Sequence, residues 1–267
     1  MNTVSTSGLL AWASDATEES RPLNPGLAAR NGFVAAWLAS VEFGAPQAVF
    51  DAEAKYNVFR AWSLDGGGSP ETLLDGFGER FLIEELTIKQ YASCAFLHPA
   101  LDGLLEIMAE GRLAAADIER MTMRFPTTGA AIIDNNPLRS HCAQYVLPVA
   151  AVRGRVQFED VVFDRSGEEE IRRLSRATSV LYDDALDPDY PRRYTTVIEV
   201  TTRGGSTSSR RVEWARGCPE NPMSNEEIIA KYRHLAGQRV DGGRVELILS
   251  TIRDLEQAGN LRRLFEA

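Results

Sequence analysis

The stretch Thr195–Thr201, TTVIEVT, is followed after Gly204-Gly205-Ser206 by Arg210–Trp214, RRVEW, and the two together decide the fold class. β-Branched and apolar residues alternate with polar ones on either side of a glycine pair. That pattern predicts two antiparallel strands joined in a hairpin. Upstream, Ile118–Phe125 alternates in the same way, with Ile118, Met121, Met123 and Phe125 as its apolar set, and Glu85–Tyr91 (ELTIKQY) does so again. Between these lie helical patterns. Pro99–Glu110 places Leu101, Leu104, Leu105 and Met108 on one side, Pro137–Val152 reads as a helix carrying Pro148, and Glu168–Leu174 reads as a charged helix. Strands and helices interleave without a βαβ repeat, so residues 81–217 are expected to form an α+β unit.

On both sides of this unit the chain is expected to be helical. Residues 1–80 contain Pro25–Ser40, rich in Ala and Leu, with Pro25 near a helix start. Phe33, Val34, Trp37, Leu38 and Val41 fall nearly all round that helix, which therefore needs cover on several sides. Gly44 and Pro46 end it, Pro46–Phe59 is expected to add a second short helix, and Leu64–Pro70 is a loop by composition. Residues 218–267 are expected to hold two or three helices. The first is announced by Ser224 as N-cap with Glu227 three residues on, a capping box.

The 267 residues allow one large domain or two modest ones. A formal charge of −9 disfavours a nucleic-acid binder, which needs a basic face to neutralise phosphates, but it leaves a small anionic substrate open. Cys94, Cys142 and Cys218 are far apart and form no CxxC pair, so neither a disulfide framework nor a structural zinc site is expected. A reducing cytoplasm is the expected compartment. Met1–Ser20 lacks the basic and apolar regions of a signal peptide. The apolar run Phe33–Val41 is too short for a bilayer, which takes roughly 20 residues. His98, His141 and His234 are isolated, and Walker, GxGxxG and GxSxG motifs are absent. No metal and no cofactor is expected.

Two sets of residues bear on chemistry. His141 and Cys142 are neighbours, and on a helix neighbours point apart, so they cannot form a dyad. His141 and Tyr145 are spaced to share a helix face, a pattern that is more often structural than functional. Lys89 sits in an alternating apolar stretch, either on a solvated strand face or as a cation lining a cleft, ready for a carboxylate.

Four collinear segments resemble one family, MmgE/PrpD, that of 2-methylcitrate dehydratase. Ser7-Gly8-Leu9-Leu10 with Arg21-Pro22-Leu23-Asn24-Pro25-Gly26 is similar to the family's SxGLL stretch and KRLHPG-like segment. Ile88–Cys94 with His98-Pro99-Ala100-Leu101-Asp102 resembles its KxYxxC…HPAID element. Arg139–Val146 (RSHCAQYV) resembles RDHCxQYM, and Gly217–Ser224 through Lys231-Tyr232 resembles the GxPxNPLS…KF tail.

The resemblance implies a partial all-helical domain (1–80), an inserted α+β lid domain (81–217) and C-terminal helices returning to the helical domain (218–267). It implies cofactor-free chemistry next to a carboxylate: dehydration, decarboxylation or epimerisation of a small polycarboxylate. Loss of a proton there needs a base, and cations to hold the developing charge. Carried onto this sequence, Lys89, Tyr145 and His141 become the catalytic candidates, with Tyr145 as proton donor. Arg21, Lys89 and Arg139 become the carboxylate binders.

Three positions depart from the family pattern. Arg21 stands where the family has Lys, Asn24 where it has His, and Ala95 where it has Arg. Arg21 can pair with a carboxylate but cannot shuttle a proton near neutral pH. Because family members are commonly longer at the N-terminus, the expectation is one subunit of a split lyase, most simply a dehydratase. A partner chain would supply the rest of the helical domain, within an oligomer. The rival expectations are a non-catalytic binding or scaffold remnant, favoured by the three departures, and an isomerase or epimerase using the same proton abstraction.

Overall fold

A computed structural model describes residues 23–62, 71, 74–260 and 262–264. Arg21, the Ser7–Leu10 stretch and the loop expected at Leu64–Pro70 lie outside the described residues, as does the side chain of Asn24. The chain divides into two compact units, residues 1–84 and 85–267.

In the first unit, α1 spans Leu23–Ser40. It ends where Glu42 takes a left-handed conformation (φ 59°) and the Phe43 N–H donates to the Leu38 carbonyl at 3.0 Å. Phe33, Trp37, Val41 and Phe43 are all exposed. The helix expected at Pro46–Phe59 is replaced by turns, and only α2, Val58–Trp62, is helical. The reason is local. The Asp51 carboxylate accepts from the Glu53 N–H, and the buried Asn57 amide donates to the Ala52 and Ala54 carbonyls while accepting from the Arg60 N–H. Such side chains offer the main chain an alternative to helix.

The second unit is built on a four-stranded mixed sheet with order β2-β1-β3-β4, which confirms the α+β class. β1 is Ile118–Phe125 and β2 is Thr178–Tyr182, and they pair in parallel. β3 (Thr196–Thr202) pairs antiparallel with β1, and with β4 (Thr207–Val212) in the expected hairpin. α3, His98–Gly111, packs on β3 and β4. It lies so close that a Cβ on Gly103 would stand 2.6 Å from Ile198 Cγ2. The short α4 (Thr127–Ala130) leads towards α5, Ala143–Arg153, whose residues 143–151 are all buried. α5 packs against α3, β2 and α7 (Glu169–Arg176); α6, Phe158–Val162, lies between α5 and α7 in sequence. Phe125, Leu104, Leu147, Leu174, Met121 and Ile198 are fully buried at its centre.

Two expectations about local structure are corrected here. Glu85–Tyr91 is not a strand. Its Ile88 N–H reaches the Gly217 carbonyl at 2.9 Å and the Thr87 hydroxyl donates to Cys218 Sγ at 3.6 Å, contacts with a loop and not with a strand. Nor is Pro137–Val152 one helix. Arg139–His141 is a 3-10 turn and Cys142 is extended (φ −92°, ψ 111°) before α5 begins, so His141 and Tyr145 share no helix face.

The C-terminal helices are α8, Asn225–Ala236, and α9, Gly242–Arg253. The capping box at Ser224 forms as expected: its Oγ accepts from the Glu227 N–H at 3.3 Å, and its own N–H donates to Glu227 Oε2 at 2.7 Å. Asp241 caps α9 through the Arg244 N–H.

Candidate functional site

Three nitrogen-bearing side chains from separate elements meet at the start of α3. Lys89 comes from the irregular segment before it, His98 opens the helix, and Lys231 comes from α8. Lys89 Nζ donates to the Ser93 carbonyl at 3.2 Å, and Lys231 Nζ donates to the carbonyl of Lys89 itself. The segment 87–89 is in turn held by Gly217. At φ +99°, with a Cβ that would fall 2.0 Å from the Ile88 carbonyl oxygen, this position admits only glycine.

His98 is 1% exposed, and its Nε2 is buried with no hydrogen-bond partner. Burial is the main reason its pKa falls from 6.5 to about 4. Lys89 and then Lys231 push the same way, while the carbonyls of Ser93 and Tyr91 oppose them. The imidazole is therefore neutral at physiological pH, with Nε2 as the uncommitted nitrogen. Burial, and next the charge of Lys89, also lowers the Lys231 pKa. Two ammonium groups and a neutral base in one small region are equipped to hold carboxylates and to take or return a proton beside them.

Tyr91 braces the imidazole. Its ring meets His98 edge-on at 5.2 Å between centroids, and its hydroxyl donates to Asp102 Oδ1 at 2.7 Å. Burial and the Asp102 carboxylate raise the phenol pKa well above its usual range.

Two other sequence candidates, Tyr145 and Arg139, brace a neighbouring stretch of main chain. The buried Tyr145 hydroxyl donates to the Asp160 carbonyl at 2.6 Å and accepts from the Arg165 N–H at 3.1 Å. Arg139 donates through Nε and Nη2 to the carbonyls of Val161 and Val162, each at 2.9 Å. Together they pin the segment 160–165. His141 is half-buried, with Nδ1 3.0 Å from Ser140 Oγ. The Ser140 carbonyl accepts from the Cys94 N–H at 2.8 Å, which ties this turn to the Lys89–His98 segment.

Of the sequence candidates, Lys89 stands in this cluster; His98 and Lys231, which join it, are not among them, and the only signal for them is that they lie inside the HPALD and KY segments. Among the described residues, no group of three or more His, Cys, Asp or Glu is placed to hold a metal, and no helix is long and apolar enough to cross a membrane.

A profile of the family described as MmgE/PrpD C-terminal domain matches residues 91–257. Among curated proteins, the cis-aconitate decarboxylase of Aspergillus terreus (strain NIH 2624 / FGSC A1156) is 26% identical over 263 residues, covering 90% of this chain and 53% of the relative. The human cis-aconitate decarboxylase is 24% identical over 256 residues, covering 91% and 51%. The mouse protein is 23% identical over 270 residues, covering 95% and 54%. The chain spans about half the length of the curated relatives it matches.

Proposed function

From the premise that this chain belongs to the MmgE/PrpD family, we propose that its second unit carries the cationic, base-bearing face of a lyase site for a small polycarboxylate. The observation that carries this is the buried His98, with Nε2 unpartnered beside the ammonium groups of Lys89 and Lys231. Lys89 and Lys231 hold two substrate carboxylates. Binding those negative charges offsets the two ammoniums and raises the affinity of His98 for a proton, so the imidazole that is neutral in the free protein becomes able to deliver one.

The relatives' name directs the reaction towards loss of CO2 from an unsaturated tricarboxylate. The bond from carbon to the departing carboxylate breaks. Its electron pair shifts onto the carbon skeleton beside a retained carboxylate held by lysine, and His98 then protonates that carbon. Dehydration, the simplest expectation from the sequence, places charge beside a carboxylate in the same way and is served by the same three groups. For the first unit we propose a helical partner chain laid over Phe33, Trp37, Val41 and Phe43, whose exposure supports an interface.

The test is calorimetric titration of the purified protein with cis-aconitate, citrate and acetate, alongside assays for CO2 release and for dehydration. The tricarboxylates are expected to bind and acetate not. Lys89→Met and Lys231→Met should each weaken binding about 10²-fold, corresponding to loss of a charge-assisted contact of roughly 2–3 kcal/mol. Equal binding of acetate, or unchanged affinity in both variants, would remove the cluster from consideration.

A further inference from the structure

Asp102 lies one turn beyond His98 on α3, and its two oxygens face different segments. Oδ1 accepts from the Tyr91 hydroxyl and Oδ2 from the Arg216 N–H, each at 2.7 Å. Tyr91 is the ring set edge-on against His98. Arg216 precedes Gly217, whose carbonyl holds Ile88 next to Lys89. The Arg216 side chain continues outward, donating from Nη1 to Asn221 Oδ1 at 3.2 Å and pairing through Nη2 with Glu227 Oε2 at 2.6 Å. Glu227 lies one turn before Lys231 on α8. One carboxylate, itself on the helix that His98 opens, is therefore linked to both of the segments that carry the lysines.

We propose that Asp102 is the positioning residue of the site, holding the His98 imidazole through Tyr91 and the two lysine-bearing segments through Arg216, whose main chain leads to Gly217 and whose side chain reaches Glu227. It rests on the assignment of His98, Lys89 and Lys231 given above, but its test needs no substrate. Asp102 does not reach His98 itself. The groups acting on that imidazole are Lys89, Lys231 and the carbonyls of Ser93 and Tyr91. Burial is the first cause of the raised pKa of Asp102, opposed by the two hydrogen bonds it accepts, as befits a carboxylate kept in the interior for those bonds.

The two ways Asp102 can influence His98 have opposite signs. If it acted as a nearby negative charge, removing it would lower the His98 pKa further. If it acts by holding Tyr91 over the ring, removing it lets water reach the imidazole, and the pKa rises towards 6.5. The experiment is an NMR titration of the histidine ring signals in the wild-type protein, Tyr91→Phe, Asp102→Ala and the double variant, with near-ultraviolet circular dichroism to verify folding. Tyr91→Phe keeps the ring and loses only the tether, so it is the variant that folds most surely. His98 is expected to move up by about one unit or more in each single variant and no further in the double, while His141 and His234 stay in place. A His98 titration that is unmoved or lowered in folded Tyr91→Phe or Asp102→Ala, or that shifts additively in the double variant, overturns the proposal. If Asp102→Ala does not fold, Tyr91→Phe alone decides. Failure of tricarboxylate binding with the His98 shifts intact would strike the proposed reaction and leave the positioning role standing.

Discussion

α1 and α5 are alike in apolar character and meet opposite fates. LNPGLAARNGFVAAWLAS and AQYVLPVAAVR are both apolar nearly all round and rich in Ala. Residues 143–151 of α5 are buried, whereas Phe33 and Trp37 of α1 are 76% and 60% exposed. A helix apolar on every side needs cover on every side. α5 finds it because α3, α7 and β2 each present an apolar surface to it. The composition of a helix thus states a demand for burial, and only its neighbours determine whether the demand is met.

The sharpest way to break this comparison is to truncate an equivalent side chain in each helix. Leu147 in the middle of α5 is fully buried. Leu147→Ala removes its contacts and leaves a cavity, at an expected cost of about 2–5 kcal/mol in urea-induced unfolding of the second unit. A cost below ~1 kcal/mol would mean that α5 is not the packed centre it looks to be.

What was legible in the sequence divides along the same line. The hairpin of β3 and β4, the strand β1 and the box at Ser224 depend on residues close in the chain, and periodicity or capping chemistry announces them. β2 was not seen. TSVLY is short, and it is fixed by parallel pairing with a strand on the far side of several helices. The alternation at Glu85–Tyr91 was misleading, because those residues sit against the Gly217 loop and outside any ladder. The site followed suit. Lys89 was legible as a cation within an apolar stretch, but His98 looked isolated because its neighbouring cation, Lys231, arrives from a helix far along the chain.

Acid separates the two regions next. All three histidines lie in the second unit, and His98 is the buried one. Its pKa is depressed on folding, so between its ordinary 6.5 and about 4 the unfolded chain binds a proton that the folded one refuses. Stability therefore falls as pH drops through that window, by on the order of 3 kcal/mol in full. Hydrogen exchange read by mass spectrometry should show α5 losing protection as pH goes from 6.5 to 5, after correction for intrinsic exchange rates. α1, which carries no histidine, should be unchanged. In His98→Gln the α5 response should flatten. An α5 that answers acid equally in wild type and variant would assign the effect to other groups.

The smallest effect on folding is expected where the apolar surface is most visible. Trp37 and Phe33 are four residues apart on α1, on one face, and both are exposed. Large apolar side chains in that situation contribute little to the stability of the chain that bears them, since they leave little water on folding. Trp37→Ser should therefore change the unfolding free energy by no more than a few tenths of a kcal/mol, as surface substitutions usually do. Association should respond far more. An interface between obligate partners resembles a divided core and concentrates its energy in a few aromatic anchors, Trp foremost, so loss of one commonly costs about 2 kcal/mol or more in binding. Light scattering on the purified chain, and on the chain mixed with a candidate helical partner, should show assembly through this face in wild type and its loss in Trp37→Ser. The contrast between α1 and α5 would then be one of where the cover comes from: α5 is covered by its own unit, and α1 by another polypeptide. A Trp37→Ser variant that unfolds at much lower urea, with assembly unchanged, would place the side chain in an intramolecular core and end the distinction.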